Sequence, residues 1–169
     1  MGDRAGLQIA TIGVYGTTAE GFLVALREAG VGLLLDVRQR RGVRGSQYAW
    51  ANSLRLQAAV AQAGIAYRHE LALAPTTELR QLQYEEDARQ GVGKRTREVL
   101  AAEYRRRYVE EILEDIDMDA FVASLPRDSR SALLCVERDP RACHRSLIAE
   151  RLAEDYGATV LHLMPVGRA

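Results

Sequence analysis

A chain of 169 residues with 47% hydrophobic side chains has the apolar material for one cored domain and too little length for several. Its 23 basic and 23 acidic residues cancel, so nothing global attracts nucleic acid, and no apolar run approaches the roughly 20 residues of a membrane span. With two cysteines and no signal-peptide-like apolar segment at the N-terminus, the expectation is a cytoplasmic domain with reduced thiols rather than a disulfide-held one.

Short apolar runs alternate with helical patterns along the chain. Residues 7–15 read as a strand. Residues 17–30 read as a helix capped by Thr17 or Thr18 and stopped by Gly30. The near-continuous apolar run of 31–38 suits a parallel strand covered on both faces. A basic loop leads to a helix over 51–64, with Asn52 or Ser53 as its cap, and to a third strand over 65–71. A short helix is expected to start at Pro75-Thr76-Thr77 and run to about Gly91, followed by a long one from about Thr96 to Asp115 and a last short turn capped by Asp117. Residues 131–137 form the fourth strand. Asp139-Pro140 opens a helix running to Tyr156, because proline suits the first helical position. Residues 158–165 are the last strand.

Repeated strand–helix–strand units call for an α/β fold: a single domain, 1–169, with a three-layer parallel sheet of about five strands and a helical insertion over 76–126. The expected order is the Rossmann-like 3-2-1-4-5. Ligands in such sheets bind at the strand carboxyl ends beside the reversal of direction. That predicts a site built from Gly13–Tyr15, Asp36–Arg38 and Glu137–Arg145.

Three clusters there could carry chemistry. In the stretch LLCVERDPRACHRSL, Cys135 and Glu137 share a strand face. On a helical wheel at about 100° per residue, Arg145 falls inside the apolar sector and Cys143 nearly opposite it. An inward arginine needs a partner: Glu137, Asp36 or a ligand phosphate at the helix start. Cys135 reads as a packed core thiol and Cys143 as pointing away. Cys135, Cys143 and His144 match no common zinc spacing, so no metal and no other cofactor is expected, with a metal site as the alternative. In the second cluster, Arg40, Arg41 and Arg44 are interleaved with Gly42 and Gly45; Arg38, Arg41 and Arg44 suit phosphate, Tyr15 joins them as a ligand-binding residue, and Tyr48 or Trp50 suits contact with a base. The third is Lys94, Arg95 and Arg97. Placed at a helix start, they oppose the helix dipole, as do Glu110 and Glu111 at its other end, which suggests an external anion or an oligomer contact.

The segments TIGVYGTTAEGFLVALREAGV, LLLDVRQRRG, GIAYRHEL and LLCVERDPRACHRSLIAERL together resemble the domain-of-unknown-function 488 family. The resemblance implies a compact bacterial or archaeal α/β domain with a shared site at Asp36-Val37-Arg38, Cys135-x-Glu137 and Cys143-His144-Arg145. It implies no reaction. The chain departs from the family's pattern in its Arg/Gly-rich loop after Asp-Val-Arg, which marks a subgroup.

The leading expectation is a phosphate-containing ligand, a nucleotide or nucleic acid. Glu137, aided by Asp36 and His144, would be the acid–base group of a hydrolase or transferase, and Arg38, Arg41, Arg44 and Arg145 would hold phosphate. A thiol- or metal-based sensor and a non-catalytic interaction domain are the alternatives, and a homodimer is left open.

Overall fold

The computed structural model describes residues 6–165, so residues 1–5 and 166–169 of the expected domain lie outside the described residues. Five strands form one parallel sheet: β1 (Gln8–Ile12), β2 (Val31–Asp36), β3 (Ala66–His69), β4 (Arg130–Leu134) and β5 (Thr159–His162). Between them run α1 (Ala19–Glu28), α2 (Ser53–Gln62), α3 (Thr77–Gln90), α4 (Ala102–Tyr108), α5 (Met118–Ala123) and α6 (Arg145–Tyr156). The expected α/β class, parallel sheet and helical insertion between the third and fourth strands are all present. Among the described residues no helix is long and apolar enough to cross a membrane.

Local chemistry sets the boundaries. The Thr18 hydroxyl accepts from the Gly21 N–H at 3.1 Å and starts α1. Thr76 does the same for α3 through Leu79 N–H, and Asp117 for α5 through Ala120 N–H. Gly91 and Gly157 close α3 and α6 with φ of 69° and 64°, which a side chain would resist. Asn52 sits at the cap of α2 but gives its side chain to the Val43 N–H instead, bracing the basic loop. We expect Thr76→Ala to lower stability by about 1 kcal/mol, read as a shift of the urea midpoint at constant slope.

The strand order is β3-β2-β4-β1-β5, not 3-2-1-4-5. β4 lies between β2 and β1, so Leu134 is level with both Asp36 and Ile12. Gly13, Val37 and Cys135 therefore leave the sheet side by side. With right-handed crossovers, the connections after β1 and β2 run over one face and those after β3 and β4 over the other. β4 thus departs to the opposite face from both its neighbours, and the crevice opens at its carboxyl end. Both faces of the three central strands, β2, β4 and β1, are buried. Ile9, Ile12, Phe22 and Leu26 are among the fully covered side chains, as are Leu34, Leu35, Ala132 and Leu134.

The insertion differs from the long helix expected over 96–115. Residues 94–101 are non-helical, α4 begins at Ala102, and a π turn over Val109–Leu113 continues it. The Arg106 and Arg107 charges are matched within the chain: Arg106 pairs with Glu103 and Glu110, Arg107 with Glu78 and Glu111. This accounts for the acidic end without an outside partner, although such exposed pairs contribute little stability.

Candidate functional site

The end of β4 is held by its carbonyls. Val136 O accepts from both Val14 N–H and Tyr15 N–H at 3.0 Å. Arg145 donates to Glu137 O at 2.6 Å and to Arg138 O at 3.0 Å. Arg145 is fully buried, and its partners are these carbonyls rather than the carboxylate of Glu137 or Asp36. Gly13 makes this approach feasible, since a Cβ there would lie 2.1 Å from Glu137 O. With three successive carbonyls tied down, the Glu137 side chain is left to face the crevice.

Cys143 does not point away. The Asp139-Pro140 turn is a short 3-10 segment over Pro140–Ala142, and the chain is extended at Cys143 (φ −140°, ψ 148°) before α6 starts at Arg145. The helical wheel does not apply at position 143. Its side chain is buried, and its Sγ is 3.6 Å from His144 Nδ1. Cys135 Sγ is 3.9 Å from the same nitrogen and donates to Glu137 Oε2 at 3.3 Å. Burial, with Cys143 close by, pushes the Cys135 thiol up to about 12, so at neutral pH it is an uncharged donor and a poor nucleophile. His144 Nε2 lies 2.8 Å from Val37 O. A carbonyl only accepts, so this nitrogen carries a proton, and in the neutral ring the Nδ1 lone pair faces the two sulfurs.

The insertion brings in Lys94 and Arg97 of the third cluster, together with Gln83 and Asp87, which the sequence did not single out. Arg97 is turned inward ahead of α4, where Nη2 meets Glu137 Oε1 at 2.8 Å, Nη1 meets Asp87 Oδ2 at 2.5 Å and Nε donates to Ala142 O. Gln83 extends the chain by donating to Asp87 and accepting from Ala101 N–H. Burial holds the Glu137 carboxyl above the ordinary carboxylate range, against the pull of Lys94 and Arg97. Burial works to lower the Lys94 ammonium, but Glu137, Cys135, Tyr84 and Tyr15 together outweigh it and hold Lys94 above its ordinary value, so it stays charged. Lys94 makes no ion pair within 4.0 Å among the described residues.

These groups line an inner pocket with a void of ≈ 50 Å³, walled by Arg38, Lys94, Arg97, Tyr104 and Glu137, with Cys135, Cys143 and His144 at its floor. It opens into an outer groove of ≈ 830 Å³ that shares Arg40, Arg80, Tyr84 and Lys94 with it. The groove's ionisable groups are Arg40, Arg44, Arg80, Lys94, Arg95 and two tyrosines, with no carboxylate among its lining residues. The Arg95 guanidinium lies 5.2 Å and 5.3 Å from the Tyr15 and Tyr48 ring centres.

Of the residues nominated from sequence, Glu137 and His144 meet in the inner pocket, and Tyr15 and Arg44 line the groove. Asp36 is fully buried outside the pocket wall, where it is held by Arg38 through two bonds of 2.8 Å and by the Tyr67 hydroxyl. Arg38 touches the pocket, but its remaining Nη1 donates to Ala51 O, so its donors are engaged within the chain. Arg41 turns to the other side of the loop, 3.4 Å from the Tyr67 hydroxyl. The Tyr48 hydroxyl accepts from Gly16 N–H, which makes it a buried support for Tyr15 and Arg95 rather than an open platform. Trp50 packs against Phe22 at 5.0 Å, away from the site. The signal for Arg97 and Lys94 was their unfavourable placement at a presumed helix start, and Asp87 had none.

Residues 18–152 match the family model described as a domain of unknown function, DUF488. The chain belongs to this family. No curated protein matches it. The DUF488 match takes in every residue that walls the inner pocket, from Arg38 to His144. β1 and β5 fall outside it, so Tyr15 and the Gly13 contact are contributed from beyond the matched stretch.

Proposed function

We propose that the protein binds a phosphate-bearing ligand, a nucleotide or single-stranded nucleic acid, along the outer groove and directs its reacting part into the inner pocket. There Glu137 acts as the acid–base group of a hydrolytic or transfer reaction. The observation that carries this reading is the absence of any carboxylate from a groove lined by five cations, in a chain whose total charge is zero. Positive charge concentrated in a cleft attracts phosphates whatever the net charge. Tyr15 and Tyr84 flank the cations and offer ring faces to bases. Glu137 suits the acid–base role because burial raises its carboxyl toward the working pH. Two free buried thiols suit a reducing compartment, the cytoplasm.

The test is fluorescence anisotropy with a labelled oligonucleotide across a salt series. We expect log affinity to fall against log salt with a slope of about −3, from roughly −0.7 for each phosphate neutralised on a single strand. Lys94→Glu and Arg44→Glu should each weaken binding and flatten that slope by about 1. Absent binding, or binding indifferent to salt and to both variants, would sink the reading.

A further inference from the structure

We infer that Cys135, Cys143 and His144 form a zinc site with three protein ligands and a fourth position open to the inner pocket. The two sulfurs and the imidazole nitrogen lie within 4.8 Å of one another, all three residues being buried. A tetrahedral centre with Zn–S of ~2.3 Å and Zn–N of ~2.05 Å needs a sulfur-to-nitrogen edge of roughly 3.6 Å. The Cys143 Sγ–His144 Nδ1 separation is 3.6 Å and the Cys135 Sγ–His144 Nδ1 separation 3.9 Å. Two of the three donor edges therefore stand almost at ligand spacing before any ion enters.

A second observation points the same way. A metal-binding histidine usually gives its other ring nitrogen to a carbonyl or carboxylate, which fixes the tautomer and aims the lone pair. His144 has that arrangement through Val37 O. Metal binding would displace the two thiol protons to solvent, and the resulting set of two thiolates and an imidazole favours zinc over harder cations such as magnesium or calcium. Glu137 falls outside the ligand group but touches Cys135 Sγ at 3.3 Å. A non-ligand carboxylate beside an open metal position is placed to take a proton from a metal-bound water. The void of ≈ 50 Å³ leaves room for such a water. The site does not depend on the groove's ligand: zinc would be held whether or not oligonucleotide binds.

The protein, purified without chelator and without a histidine tag, is analysed for bound metal, and the metal-free form is titrated with Co²⁺ and followed by visible and near-ultraviolet absorption. We expect one zinc per chain. Cobalt should give the intense visible bands of a tetrahedral site together with thiolate-to-metal charge transfer. Cys143→Ser and His144→Ala should lose the bound zinc and the tetrahedral spectrum, while Glu137→Gln keeps both. Wild-type protein that is folded by circular dichroism yet gives neither zinc nor the cobalt spectrum overturns the inference. So does unchanged metal binding in Cys143→Ser. If the cysteine variant does not fold, the charge-transfer band of wild-type protein decides, because it requires sulfur on the metal.

Discussion

Replacing Arg97 with Ala should lower the unfolding free energy by about 3–5 kcal/mol at neutral pH, since it leaves buried carboxylates without their cation. Arg97 is 8% exposed and joins Asp87, Glu137 and the Ala142 carbonyl, so one truncation breaks a link inside the insertion and two links from it to the segment after β4. The loss should depend on pH, with a definite sign. Glu137 already has its folded value raised above the unfolded one. A group of that kind contributes stability that is complete below the unfolded value and disappears as pH rises through the folded value. Without Arg97 the folded value rises further, so the difference between wild type and variant should be smallest in acid, where Glu137 is protonated, and grow toward neutrality. Urea unfolding at several pH values measures it. A cost that does not change with pH would mean that Arg97 acts by packing rather than by charge.

The second large effect is expected at the joint between β1, β4 and α6. Arg145→Ala removes two hydrogen bonds from a charged donor, each worth roughly 1.5–3 kcal/mol, and we expect a total of about 3–5 kcal/mol. Arg145→Lys should recover only part of it, because an ammonium cannot span the Glu137 and Arg138 carbonyls as the planar fork does. Gly13→Ala attacks the same joint from the other side. Its Cβ would stand 2.1 Å from Glu137 O, so the β4 end must move. Once the carbonyl has moved, the Arg145 bonds are already weakened. The double variant should therefore cost less than the sum of the two single ones, and chemical denaturation of all four proteins gives the coupling. Additive costs would show that the glycine and the arginine act independently.

The features legible in the sequence are those fixed by neighbours along the chain. Thr18, Thr76 and Asp117 satisfy N–H groups three residues on, and Gly91 and Gly157 adopt the left-handed turn that ends a helix. Glu137 could be placed at the crevice because it follows closely on the carboxyl end of the β4 run. What was hidden depends on distant partners. β1 and β4 are both apolar runs that fit the middle of a sheet, and nothing local says which lies beside β2. Arg97 looks like a surface cation until its acceptors, 10 and 40 positions away, are brought to it. Arg145 was recognised as an inward charge, but its partners are main-chain oxygens, which every residue possesses and no motif advertises. Cys143 was misplaced by one wrong boundary: starting the helix at Pro140 instead of Arg145 turned a thiol that faces the pocket floor into one that faces away.

The position of β4 also governs the order in which the molecule can assemble. Its partners are β2 and β1, strands made some hundred residues earlier, and neither of those pairs with the other. Until residues 130–134 emerge from the ribosome, β2 has only β3 beside it, and β1 has no neighbour at all. Both would present unpaired edges during synthesis. Closing such long loops late makes folding slow relative to a fold of neighbouring hairpins. The pocket is among the last parts to exist, so a nascent chain long enough to show α1 to α5 would still have no floor for its ligand.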